Sequence, residues 1–275
     1  MHEKFNSIEE LEVLLEKTDN AEIKPWFNEN GEESKDYCRI WNTTRNHIEA
    51  SVPFNRGKVV QHRDDFKPLT NALREQQGAD MFGFFHNHQG RVIVEVLFNN
   101  AIVNDGSEGG IKLGLRFTND YSQLNLKGNN FGYRSYCSNG MSLGKVLFNE
   151  ISVSHKNIAG INKEILSFID TALNKTTLLE GIIEKAKADV LMNEEDALRI
   201  LVGEVSGERK ARKMLELIEE QNYTMYNLYN CITNYCTHAI TNETMKNYYQ
   251  TMAQKILTTP SNKLFRGELK KDKAD

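Results

Sequence analysis

Hydrophobic periodicity changes once along this chain, and that change limits the fold more than any other feature. From about Tyr37 to Tyr136 apolar and polar residues alternate with a period near two, in β-branched and aromatic runs separated by Asn, Gly and Asp. After His155 the apolar residues recur at helical spacing, with few glycines and Pro260 as the single proline breaker. The first pattern makes strands that bury one face, and the second makes amphipathic helices. The expectation is an α+β protein: a small mixed or antiparallel sheet with a β-hairpin, followed by a C-terminal helical layer.

Within this frame the spacing predicts strands over Tyr37–Trp41, His47–Phe54, Gly57–Gln61, Ile111–Phe117 and Phe131–Tyr136. Met81–Phe85 and Arg91–Phe98 pair as a hairpin through a polar, Gly-containing turn at His86–Gly90. Lys67–Gln77 reads as a helix, with Pro68 near its first turn and Gly78 to stop it. Ser7-Ile8-Glu9-Glu10 is a capping box ahead of Leu11, Leu14 and Leu15. Later helices are marked by the stripe Ile161, Ile165, Leu166, Ile169 and Leu173, and by caps at Asn193, Ser206 and Thr241. Three segments result: an acidic helical arm over 1–34, an α+β core over 35–155 and a helical layer over 156–275, packed on or beside the core.

Charge follows the same division. The net charge of -4 is the sum of -7 over 1–34, +3 over 35–155 and zero over 156–275. A chain of 275 residues buries a sizeable core in one or two domains. No apolar run approaches the roughly 18 residues of a membrane span. The N-terminus Met1-His2-Glu3-Lys4-Phe5 has no apolar signal region, so the expected location is cytoplasmic. Cys38, Cys137, Cys231 and Cys236 fit no zinc spacing and read as reduced thiols. Cys231 and Cys236, with His238, fall on a predicted helix, where a spacing of five puts the thiols on different faces. Neither a phosphate-binding GxxxxGK[ST] or GxGxxG loop nor an HExxH zinc motif occurs. His86-Asn87-His88 reads as a polar hairpin tip, and Asp105 in Asn104–Gly110 as a cap of its own turn. No cofactor and no metal is expected.

The densest segment is Phe131-Gly132-Tyr133-Arg134-Ser135-Tyr136-Cys137-Ser138-Asn139-Gly140. Guanidinium groups hold phosphates and aromatic faces stack bases, so this mixture, set in the mildly basic middle, points to single-stranded nucleic acid. The phosphate contacts would come from Arg56, Lys58, Arg63, Lys112, Arg116, Lys127 and Arg134, and the stacking from Tyr133 and Tyr136.

The order Arg116-Phe117, Thr118-Asn119-Asp120, then Arg134-x-x-Cys137-x-Asn139-Gly140 and a downstream His155 resembles the phage- and plasmid-encoded domain-of-unknown-function family 932. The resemblance covers about residues 50 to 175 and departs from the family at Tyr121, where a glycine is expected. It implies a viral or mobile-element origin and supplies no reaction. More distantly, the layout is similar to that of single-strand annealing recombinases. The function expected is a nucleic-acid-binding accessory protein of recombination or replication, annealing single strands as a homo-oligomer and without membrane contact. Asn119, Asp120, Cys137, Asn139 and His155 would then be structural, tying a strand end to the next helix. Two alternatives stand beside this one. The first is an enzyme with Cys137 as nucleophile, His155 as base and Asn139 orienting it. The second is a non-catalytic protein-interaction module.

Overall fold

The computed structural model describes residues 2–56, 58–76, 80–88, 90–107, 109–134, 139–142, 150–155, 157, 161–205, 207–218 and 221–265. Among the described residues ten strands form two antiparallel sheets, and helices complete an α+β architecture. The large sheet contains β1 (His2–Phe5), β5 (Met81–His88), β6 (Arg91–Val103), β7 (Ile111–Asp120), β8 (Asn125–Arg134) and β10 (Glu150–Ser154), in the order β1-β5-β6-β7-β8-β10. A short strand, β9 (Asn139–Ser142), also pairs with β8. The small sheet is β2 (Ala21–Phe27), β3 (Glu33–Asn42) and β4 (His47–Pro53), with bulges at Pro25/Phe27 and Ile40/Trp41.

By internal contacts the chain forms two compact units. The first comprises 1–101, 113–130 and 149–174; the second comprises 102–112, 131–148 and 175–275. In the first unit, α1 (Ile8–Glu16), α2 (His62–Glu75) and α3 (Asn162–Asn174) lie on the inner face of the large sheet. Asn130 of β8 donates to the carbonyl of Phe168 in α3 at 3.0 Å, and the Phe117 and Phe168 rings lie 6.4 Å apart. Alternation decides which residues meet these helices. Phe85, Val92, Val94, Val96, Phe98, Leu113, Leu115, Phe117 and Leu126 are fully or almost fully buried, as are Phe66 and Leu69 of α2. The small sheet has its own core of Ala21, Cys38, Ile40 and Val52 against Tyr121 and Leu124.

The second unit contains α4 (Thr176–Ala188), α5 (Glu194–Val205), α6 (Glu208–Leu215), α7 (Met225–Ala239) and α8 (Glu243–Thr258). Asp105 accepts both the Ser107 N–H and the Ser107 hydroxyl, as its turn chemistry predicts, and its other oxygen takes the Tyr226 hydroxyl at 2.8 Å. Cys231 and Cys236 are buried on α7 and donate to different carbonyls, Leu228 and Lys246. Among the described residues no helix is long and apolar enough to cross a membrane.

Five expectations about local structure change. The cap expected at Thr241 is instead Asn242, whose side chain accepts from Met245 N–H at 3.1 Å. Of the strand expected over Gly57–Gln61, the described residues Lys58–Gln61 form none, because Gln61 instead becomes the N-cap of α2. That helix starts at His62 and carries Pro68 inside it, since tertiary bonds to its first turn outweigh the one hydrogen bond that proline removes. Residues 1–34 supply β1 and β2 as well as α1, so sheet pairing claims much of the segment expected to be a helical arm. At the hairpin, His86 and His88 belong to β5 rather than to the turn. The capping box does form. Ser7 accepts from Glu10 N–H, while the Glu10 carboxylate reaches back to Asn6 N–H at 2.7 Å.

Gly83 shows how closely the inner layer is packed. A Cβ there would fall well inside van der Waals contact with the Glu95 carbonyl and the Phe5 ring. Gly83→Ala is expected to lower unfolding free energy by about 1–3 kcal/mol in urea titrations. Gly181, in α4 with nothing within 4 Å of its would-be Cβ, provides the opposite case. Gly181→Ala should stabilise by about 0.5–1 kcal/mol through helix propensity.

Candidate nucleic-acid interface

Residues on the large sheet that alternate away from the helices make its outward face. Strand β5 has aromatic rings in both phases of its alternation, so Phe85 enters the core while Phe82, Phe84 and His86 emerge half-buried on the other side. Strand β1 pairs beside them with His2 opposite His86 and Lys4 opposite Phe84. The His2 ring stacks on His86 at 4.3 Å and on Phe84 at 5.9 Å, with interplanar angles of 25° and 20°. Phe82 meets Phe84 edge-on at 6.0 Å, and Lys4 Nζ lies 5.1 Å from the centre of the Phe82 ring. Four rings and an ammonium group therefore form one continuous strip across two strands.

The strip borders an ion-pair network. Glu95 of β6 accepts from Arg116 Nε at 2.6 Å and from Arg116 Nη2 at 2.5 Å, and His86 Nε2 lies 3.7 Å from its other oxygen. Burial alone would raise the Glu95 carboxyl, but the His86 hydrogen bond and the Arg116 charge outweigh it and hold the group below its ordinary value. On the next strand, Lys127 is exposed on the same face, where its ammonium donates to Gln123 at 2.6 Å.

The sequence-predicted basic residues do not converge. Arg116 and Lys127 share the outward face of the first unit. Arg63 lies in the first turn of α2 and pairs with Glu16 at 3.2 Å, and Lys58 is exposed in the segment before that helix. Arg56 ends the short 3-10 turn Phe54–Arg56, and of it only the backbone is described. Lys112, Tyr133 and Arg134 belong to the second unit, where Tyr133 is half-buried and Arg134 pairs through its backbone with Asn139. Tyr136 and Cys137 lie outside the described residues, as do the side chains of Arg134 and Asn139. The outward rings were missed because aromatics in a strand are read as core. The available signal was Met81-Phe-Gly-Phe-Phe-His-Asn-His88, in which both phases carry rings, whereas a strand with one wet face needs only one.

On the inner face, Asn119 and His155 meet. His155 follows β10, is wholly buried, and accepts Val60 N–H at Nδ1 over 3.3 Å. Its proton therefore sits on Nε2, which faces Asp65 Oδ2 at 2.9 Å and Asn119 Oδ1 at 3.1 Å. Asn119 donates its amide to the same Asp65 oxygen. Burial pushes the Asp65 carboxyl up, against the downward pull of the His155 hydrogen bond. With both nitrogens engaged, His155 would have to break these bonds to serve as a base for any thiol. Asp120, next in sequence, points the other way and caps its own turn by accepting the Ser122 N–H at 2.7 Å.

Comparison with known proteins gives no match to a family model, to a curated protein or to a solved structure. Among the described residues no group of three or more His, Cys, Asp or Glu side chains is arranged to hold a metal ion.

Beside this cluster, His62 stacks on Tyr121 at 3.9 Å with neither ring nitrogen hydrogen-bonded. Burial, with a smaller contribution from His155, lowers its pKa from 6.5 to about 3. The unfolded chain takes up this proton near pH 6.5 and the folded chain only near 3, so stability present above 6.5 is lost as pH falls through that window, at about 1.4 kcal/mol per unit. Asp65 acts in the opposite sense, because a raised carboxyl binds its proton in the folded state first and returns stability as pH falls. His62→Phe keeps the stacked ring and removes the titration. Its urea midpoint at pH 7 should equal or exceed that of wild type, and its loss of stability between about pH 6 and 4 should be shallower. An unchanged acid slope would place the responsible group elsewhere.

Proposed function

We propose that this protein binds single-stranded nucleic acid across the outward face of its large sheet, as an accessory to recombination or replication. The observation that carries the reading is the strip of His2, Phe82, Phe84 and His86, with Lys4 at its edge and Arg116 and Lys127 farther across the same face, two and three strands from β5. Aromatic rings held in place by a sheet stack bases without regard to sequence, and cations on the same face attract the phosphates. Arg116 is held by Glu95, so it supplies less net attraction than an unpaired arginine and acts chiefly by orientation. Stacking is thus the larger contribution, and sequence preference is weak. The role in recombination or replication, the annealing of strands as a homo-oligomer and the mobile-element origin rest on the resemblance of residues 50 to 175.

Fluorescence anisotropy with a single-stranded oligonucleotide tests the proposal. Wild type is expected to bind at about 50 mM salt, with affinity falling linearly in log–log form as salt rises. Phe84→Ala should weaken binding about tenfold, near 1.4 kcal/mol, while Arg63→Ala on α2 leaves it unchanged. Absence of binding by a folded sample, or full affinity in folded Phe84→Ala, would remove this face as the site.

A further inference from the structure

Within the outward strip, one hydrogen bond has room for a single proton. His2 on β1 and His86 on β5 stand opposite each other, their rings stack at 4.3 Å, and His2 Nδ1 lies 3.0 Å from His86 Nδ1. A bond between two imidazole nitrogens needs a proton on one and a bare lone pair on the other. The surroundings decide which is which. His86 Nε2 faces Glu95 Oε2 at 3.7 Å, and an ionised carboxylate can only accept, so the His86 proton sits on Nε2. His86 Nδ1 is then bare, and His2 Nδ1–H donates to it. What is left is His2 Nε2, on an exposed ring of the edge strand, where no described residue bonds it.

A further proton therefore has one place to go without breaking a bond. On His2 Nε2 it turns the outer ring into an imidazolium that still donates from Nδ1. On His86 it would have to occupy Nδ1, and the bond between the rings would be lost. Charged groups face the pair from each neighbouring strand. They are Lys4 two residues along β1, His88 two residues along β5, Glu95 and Arg91 on β6, and Arg116 on β7. Glu95 meets the Arg116 charge, and Lys4 lies over the Phe82 ring at 5.1 Å. A charge on His2 would lie beside Phe84, whose ring it parallels at 5.9 Å, and an aromatic face attracts a cation.

We infer that His2 is a proton-linked contact of the nucleic-acid face: a bound strand is gripped by the imidazolium form, so binding takes up one proton and strengthens as pH falls. This inference rests on the function proposed above and adds its regulation. Protonated His2 points an N–H outward to a phosphate oxygen while the rings beside it stack the bases. Neutral His2 has only a lone pair at that nitrogen, which a phosphate oxygen cannot use. Linkage is reciprocal, so the strand strengthens the hold on the proton by the factor by which the proton strengthens the hold on the strand. Because His86 stays neutral while the two rings are bonded, the uptake is limited to one proton, where two independent histidines would take up two.

Anisotropy with an oligothymidylate reads the coupling, since thymine does not titrate between about pH 5.5 and 8, the range in which histidine does. Wild type should bind about fivefold more tightly at the lower pH, roughly 1 kcal/mol. Its log–log salt slope should steepen there by about 0.7, the share of one added phosphate contact on a single strand. His2→Phe keeps an aromatic ring and cannot take the proton, so its affinity and its salt slope should each be the same at both pH values. Equal affinity of wild type at the two pH values, or an increment that survives in folded His2→Phe, would overturn the inference and leave the stacking face standing. Failure to bind at either pH would remove the face and the inference together. NMR of the free protein tests the pair without any strand. The His2 ring Cε1–H signal should titrate across this range while that of His86 keeps its neutral position. Uptake of a proton by both rings in the same range would overturn the one-proton limit.

Discussion

Asp65 puts a carboxylate where no water reaches it, and a buried carboxylate persists only if donors are brought to it. Here the donors come from far along the chain, Asn119 at the end of β7 and His155 after β10, while His155 itself is fixed by Val60 N–H. One residue of α2 thereby fastens two strand ends and the segment that leads into its own helix. Tyr121 extends the arrangement. Its hydroxyl accepts His62 N–H and lies 3.0 Å from the Asp19 carbonyl and 3.2 Å from Gln61 Oε1, which brings in the chain ahead of β2. Removing any partner would leave another buried polar group unsatisfied, a penalty of about 1–3 kcal/mol for each neutral group and more for the carboxylate.

The turn that serves this buried cluster also shapes the surface. Residues 119 to 122 alternate, so that Asn119 and Tyr121 enter the core while Asp120 and Ser122 line a cleft at the hairpin tip. Tyr121 N–H donates to the Gly90 carbonyl at 3.0 Å, which ties the hairpin tip to the same turn. A rigid inner bond network thus holds the rings of β5 and the cleft beyond them in one fixed relation. Such rigidity suits a stacking surface, because bases gain little from rings that must first be ordered.

Net charge proved a poor guide to which cations the fold leaves unpaired. The +3 of residues 35–155 counts Arg116 and Arg63 in full, yet Glu95 and Glu16 pair with them. Arg91 entered the same sum without distinction, although its lack of an internal partner is what sets it apart. A charge total records how many cations a segment has and says nothing of which carboxylates fold against them.

Period and punctuation alone determined the α+β class, the hairpin of β5 and β6, and the helices after His155, because alternation and helical spacing follow from local backbone geometry. The capping box at Ser7 and the turn of Asp105 were legible for the same reason: their bonds span only a few residues. Strands β1 and β2 were not legible, since His2–Phe5 and Ala21–Phe27 become strands through pairing with β5 and β3, and a short polar segment carries no sign of its partner. The early start of α2 was hidden likewise, because Asp65 is drawn into the helix by residues 54 and 90 positions away. The outward rings and the cleft came entirely from tertiary structure. Which face of a strand meets helices and which meets solvent depends on where those helices pack, and His47 comes near Arg91 only when two sheets from separate stretches of chain are folded together.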